Sequence, residues 1–170
     1  MPINKMNTEE KYIRPNWDDY FQQLAKMIGM RGTCDRGRAG AIIVKDKHIL
    51  STGYVGSAAG MSHCDEIGHQ MKKVTHEDKS ESWHCTRTIH AEQNAIAQAA
   101  RFGTSLEGAT IYIKMEPCAV CAKMIVNSGI IRVVAQYQYH AAKESRQILK
   151  KCNVTLDVLE KKVESYGKII

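Results

Sequence analysis

Apolar residues recur at helical spacing in the stretch RPNWDDYFQQLAKMIGMR (14–31), at Tyr20, Phe21, Leu24, Met27 and Ile28. Pro15 and Asn16 stand ahead of an acidic first turn, so the stretch predicts an amphipathic helix with a defined start. The period then changes. AGAIIVKDKHILSTGY (39–54) is two short β-rich runs around Lys45-Asp46-Lys47, the pattern of an antiparallel hairpin. Helical spacing returns from about Ala91 to Phe102, with Gly103 at the stop position. Beyond it, ATIYIKM (109–115) predicts a strand, CAVCAKMIVNSG (118–129) a helix ending at Gly129, and IIRVVAQY (130–137) a strand. AAKESRQILKKC (141–152) predicts a helix and VTLDVLE (154–160) a last strand, followed by a lysine-rich tail from Lys161 expected to be a solvated end. Strands alternating with helices imply βαβ units and a largely parallel sheet covered on both faces.

The 33 residues from 55 to 87 break this regularity: they carry glycine, serine, histidine and charge with no sustained apolar period. Such a gap is far longer than ordinary loops, so it is disordered, functional, or held by something other than a core. The 170 residues otherwise fit a single domain, with its core at about 14–160. A net charge of +6 and a pI near 9.0 favour an anionic partner such as a phosphate or a nucleic acid. Aromatic residues make up only 6% and form no stripe among the basic ones, which argues against a binder of single-stranded nucleic acid. MPINKMNTEEKYIRP has no apolar leader core, and no run approaches 18 apolar residues, so the expectation is a cytoplasmic protein that does not span a membrane.

In a reducing compartment the six cysteines are not expected to form disulfides, and their neighbours matter more than their number. Cys152 has none that suggest chemistry and reads as a half-buried small residue. Just after the strand ending at Met115 comes EPCAVC, a Pro117-Cys118 with Cys121 three residues on, at the start of a helix. Alone, a Cys-x-x-Cys is compatible with a redox pair, a structural zinc knuckle or core residues. Joined to His90-Ala91-Glu92 it completes H-x-E…P-C-x-x-C, a signature of zinc-dependent nucleobase deaminases. Two helices entering one site by their N-termini would present His90, Cys118 and Cys121 as three ligands of a tetrahedral zinc, with the fourth position open to water. Such a metal lowers the pKa of water to around 7. Glu92 lies roughly 200° around the helix from His90, yet in a first turn it can still reach a bound base, so it reads as the proton shuttle and not as a ligand. The competing reading makes His90 a helix cap and the cysteines a structural zinc site, but such a site usually recruits a fourth protein ligand.

Over about residues 14–160 the chain resembles the deoxycytidylate (dCMP) deaminase family of the cytidine deaminase-like superfamily. The resemblance rests on RPNWDDYF, Cys34 ahead of AGAIIVKDKHILSTGY, HCDEIGH, HCTRTIHAEQNAIAQAARFG, GATIYIKMEPCAVCAKMIVNSGI and Tyr139. Cytidine deaminases proper usually carry cysteine in place of His90. The resemblance implies a three-layer α/β/α sandwich with a central five-stranded mixed sheet, homo-oligomers that are often hexamers, and regulation by dCTP and dTTP with magnesium. It implies hydrolysis of dCMP to dUMP and ammonia, feeding thymidylate synthesis. The alternatives are deamination of another base, such as adenine in tRNA or a free purine, or a zinc-stabilised nucleic-acid module without activity.

Three departures from the family stand out: Val55 in Gly53-Tyr54-Val55-Gly56, where an asparagine is usual, Lys114 where a threonine is usual, and Ala135 in place of a common tyrosine. Arg36 and Arg38 are candidates for holding a substrate phosphate, with Ala91 and Tyr139 as further substrate contacts. Cys34, Cys64, His69 and Cys85 come from three chain segments and suffice for a second, closed zinc site that would pin the 55–87 insert; His63 or His84 could replace a neighbouring ligand.

Overall fold

The computed structural model describes residues 12–75, 79 and 81–164. Helix α1 (Trp17–Gly29) starts where Asn16 accepts a hydrogen bond from the Asp19 amide at 2.9 Å. The hairpin follows as β1 (Gly40–Lys45) and β2 (His48–Tyr54), joined by Asp46 and Lys47. Both turn residues have positive φ, 50° and 66°, as a tight two-residue hairpin turn demands.

The insert is not formless. It contains β3 (Gly56–Ser57), a one-turn α2 (Cys64–Ile67), a two-stranded ribbon of β4 (Met71–Thr75) with β5 (Glu81–Cys85), and β6 (Thr88–Ile89), which pairs with β3. Sequence periodicity misses the ribbon because most of its positions are polar or exposed on both faces. Then come α3 (Ala91–Arg101), β7 (Thr110–Met115), α4 (Ala119–Asn127), β8 (Arg132–Tyr139), α5 (Lys143–Lys151) and β9 (Thr155–Glu164). Gly103 and Gly129, at φ +66° and +81°, stop α3 and α4 as expected.

The central sheet has the order β2-β1-β7-β8-β9. β7, β8 and β9 run parallel, but β1 pairs antiparallel with both β2 and β7, so the sheet is mixed and not largely parallel. The lysine-rich segment also departs from expectation: residues 161–164 extend β9 against β8, and only 165–170 lie outside the described residues. An edge strand accommodates such charge because one side of it faces no other strand. Cys152 is exposed at the end of α5, not half-buried.

Alternation along the strands divides the core. Ile42, Val44, Tyr112 and Val134 pack on Phe21 and Ala25 of α1, whereas Ile43, Ile111, Val133 and Ala135 meet Ala95 and Ala99 of α3, Ile125 of α4 and Leu149 of α5. The result is the three-layer α/β/α sandwich. Gln22 is buried in the α1 layer without loss, donating to the Ile113 and Val134 carbonyls at 3.2 and 3.0 Å. α1 is also fixed to the far strands by Arg132, which bonds both Asp18 oxygens (2.9 and 2.8 Å) and Asp157 (2.8 Å). A Cβ on Gly53 would collide with the Ala91 carbonyl and the Ala95 amide, so β2 and the first turn of α3 meet backbone to backbone.

Candidate active site

The N-termini of α3 and α4 converge at the C-terminal end of β7. His90 is the N-cap of α3 and Cys118 that of α4, and Cys121 follows one turn into α4. His90 Nδ1 lies 3.4 Å from Cys121 Sγ and 3.7 Å from Cys118 Sγ, and all three donors fall within 4.8 Å of one another. Zinc bond lengths of about 2.3 Å to sulfur and about 2.0 Å to nitrogen place tetrahedral N and S ligands about 3.6 Å apart, so the donor set fits zinc. The Cys118 thiol is pulled down to about 4 by hydrogen bonding from Cys121 and His90, working against its burial. Its bond to Cys118 holds His90 up at about 9 against its own burial, with Glu92 adding to the effect. The Cys121 thiol is pushed upward by Cys118 and by burial. A cationic imidazole against a thiolate is an arrangement in which a metal cation can take the place of a proton.

Glu92 belongs to the first turn of α3, is 9% exposed, and is not one of the cluster's three ligands. Burial raises its pKa, with the His90 charge opposing, which moves a carboxyl toward the range where it both takes and gives protons near neutral pH. Glu92, Ala91, His90, Cys118 and Tyr139 line one cavity. Val55, in place of the family's asparagine, lines it too and contributes an apolar wall.

The two arginines part company. Arg36 lines this cavity, its guanidinium donating to the Trp83 carbonyl at 3.2 Å. Arg38 bonds the Gly32 carbonyl (2.6 Å), pairs with Asp65 (3.4 Å) and lines a separate cavity beside α1, β8 and β9. Lys114 borders both cavities and donates to the Gly37 carbonyl at 3.0 Å. Sequence reasoning missed Trp83, and the cavity-wall place of His84, both brought there by β5, and Glu116 with its partner Arg146. For Glu116 a signal was present: a charged residue at a strand end, directly before Pro117-Cys118.

The second set also assembles. Cys34, Cys64, His69 and Cys85 place their donor atoms within 4.8 Å of one another, with Cys34 to His69 Nδ1 at 3.7 Å and Cys64 to Cys85 at 3.6 Å. His69, and not His63 or His84, is the histidine of this cluster. Its other nitrogen, Nε2, lies 3.0 Å from Asp35 Oδ1, the carboxylate partner that metal-bound imidazoles commonly have. Burial raises the Cys34 thiol and takes Cys64 to about 12, while at Cys85 burial is outweighed by the Arg87 and Gln70 amides, leaving it at about 7.

The profile of the cytidine and deoxycytidylate deaminase zinc-binding region matches residues 15–137. This chain belongs to that family. It is 37% identical over 147 residues to ComE operon protein 2 of Bacillus subtilis (strain 168), covering 86% of this chain and 73% of that protein. It is 38% identical over 123 residues to the deoxycytidylate deaminase of Mycobacterium phage D29, covering 71% of this chain and 94% of the phage protein. The dCMP deaminase of cyanophage S-TIM5, solved with dCMP and dUMP, superposes with a TM-score of 0.68 at 25% identity, covering 86% of this chain and 99% of the phage chain. The family resemblance seen in the sequence and the mixed five-stranded sandwich expected from it are therefore both borne out. No helix among the described residues is long and apolar enough to cross a membrane.

Proposed function

We propose that this protein is a dCMP deaminase, converting dCMP and water to dUMP and ammonia. The observation that carries the reading is a buried Glu92 beside an open three-donor cluster in one cavity, in a chain similar to named deoxycytidylate deaminases. His90, Cys118 and Cys121 would hold the zinc. Bound there, the ion supplies the Lewis acidity that makes water a source of hydroxide near neutral pH. The chain's own residues do the rest. Glu92 takes a proton from the attacking water and passes it to the ring nitrogen N3 as oxygen adds to C4. It then takes the remaining proton from the C4 hydroxyl and delivers it to the exocyclic amine, so that the C4–N bond breaks, ammonia departs and a C4 carbonyl is left. Ala91, Tyr139 and Arg36 line this cavity, which supports the first two as contacts for the base and Arg36 over Arg38 as the contact for the phosphate.

In the same reading Cys34, Cys64, His69 and Cys85 hold a second, structural zinc: four ligands leave no open position. Response to dCTP and dTTP with magnesium and a hexameric assembly rest on the family resemblance, and a cytoplasmic location on the sequence reading above; effector titration and light scattering test the first two. The decisive assay follows ammonia and product across dCMP, deoxycytidine, cytosine, adenine and tRNA. dCMP is expected to be turned over far better than deoxycytidine, and Arg36→Ala is expected to erode that preference while Arg38→Ala preserves it. Equal efficiency on nucleoside and nucleotide, or turnover of adenine or tRNA alone, overturns the reading.

A further inference from the structure

Glu116 is the most deeply buried charged residue among the described residues, with 1% of its side chain exposed, and no step above uses it. It stands between β7 and the metal-binding Cys118, immediately before Pro117. Its backbone amide donates to the Tyr137 carbonyl at 3.1 Å, continuing the parallel ladder between β7 and β8. The next position is proline, which has no N–H to continue that ladder. The Glu116 side chain takes over: its Oε2 accepts the Tyr139 amide at 3.0 Å. Arg146, in the second turn of α5, then donates to both carboxylate oxygens, Nε to Oε1 at 2.7 Å and Nη2 to Oε2 at 2.6 Å. An unpaired carboxylate so deeply buried would be costly, and the two-point guanidinium contact makes it tenable. β8 needs this support, because its register against β9 shifts between Tyr137 and Gln138, just before the residue in question.

Tyr139 is that residue. It is 6% exposed, packs with Met115 and Ala142 against Cys118, and forms part of the cavity wall. We infer that Glu116, locked by Arg146, is a positioning residue for the reaction: it carries the sheet past Pro117 and sets Tyr139 as the substrate-facing wall beside Cys118. The inference takes the substrate from the proposed function, and it predicts an effect on substrate binding more than on the chemical step.

The test uses full-length protein with Glu116→Gln, Arg146→Met and Arg146→Lys, the last two at a side chain that is 48% exposed and tolerant of change. Two readouts are taken: hydrogen exchange at the Tyr139 amide, and KM and kcat for dCMP, with zinc content and circular dichroism alongside. Glu116→Gln and Arg146→Met are each expected to accelerate Tyr139 exchange and raise KM about tenfold, with kcat within about threefold and zinc retained, as expected for misplacement of a substrate contact. Combined, they should cost no more than either alone, because both break one unit. Arg146→Lys should recover part of the loss. Unchanged exchange overturns the inference, and so does faster exchange with KM unmoved, since the pair is then structural only. If Glu116→Gln does not fold, Arg146→Met decides. A wild-type protein inactive on dCMP fails the proposed function separately; KM is then read on whichever assayed compound is turned over.

Discussion

His90, Cys118 and Cys121 stand at the ends of two helices seated on the central sheet, whereas Cys34, Cys64, His69 and Cys85 come from the loop before β1, a single helical turn, the link between α2 and β4, and a two-stranded ribbon. In the first cluster the core does the positioning. Ala91, Ala95 and Ala99 fix α3, and Ala122 and Ile125 fix α4, so the three donors meet with a coordination position to spare. In the second the relation is reversed. No residue from 65 to 89 is buried among those described, and the cluster, with Arg36 bonded to the Trp83 carbonyl, joins the ribbon to the turn before β1. A metal site can therefore be something a fold presents or something a fold depends on, and the number of protein donors, three or four, separates the two.

The largest expected effect tests the open site. Glu92→Gln preserves size and hydrogen bonding but not proton transfer, so kcat should fall at least ~10²-fold with zinc content and melting temperature close to wild type. Near-normal turnover would remove Glu92 from the chemistry. A smaller loss of activity is expected at the closed site. Cys64→Ser should release one of two zincs per chain and open the β4–β5 ribbon to protease, while the catalytic zinc stays; one zinc per chain in metal-replete wild type, with the ribbon protected, would count against a second site.

The smallest effect concerns the scaffold under the first cluster. Hydrogen bonding to Arg132 holds the Asp18 carboxyl below its ordinary value, against partial burial. A carboxyl depressed in the folded protein stabilises above its unfolded pKa of about 4 and loses that contribution as pH falls through the folded value. Asp18→Asn should thus cost about 1 kcal/mol at pH 7, discounted for partial exposure, and progressively less as pH falls below the unfolded pKa of about 4. Denaturant melts at pH 7 and at a pH below that unfolded pKa check the sign: a penalty that grows toward acid would refute the assignment.

These expectations show where the sequence was readable. Asn16, Gly103 and Gly129 announced helix ends through local backbone chemistry, and His90, Glu92, Cys118 and Cys121 announced a site because each pair is close along the chain. The antiparallel pairing of β1 with β7 was not legible, since about 65 residues separate the strands and alternation records burial, not direction. Nor was the divergence of Arg36 from Arg38: two residues apart, they part because Arg38 is drawn to Asp65 and the Gly32 carbonyl, contacts settled only by the folded insert. The Glu116 to Arg146 bond was hidden for the same reason, spanning 30 residues.

Gly53 makes one more point. Because β2 meets the first turn of α3 through backbone atoms alone, the height of Glu92 above the sheet is set by covalent geometry and not by a side chain that could be exchanged for another. Isoleucines and valines in the core are free to trade volume with their neighbours over generations without retuning the depth of the acid. The loops around the cavity, Val55 among them, can then change without moving the acid.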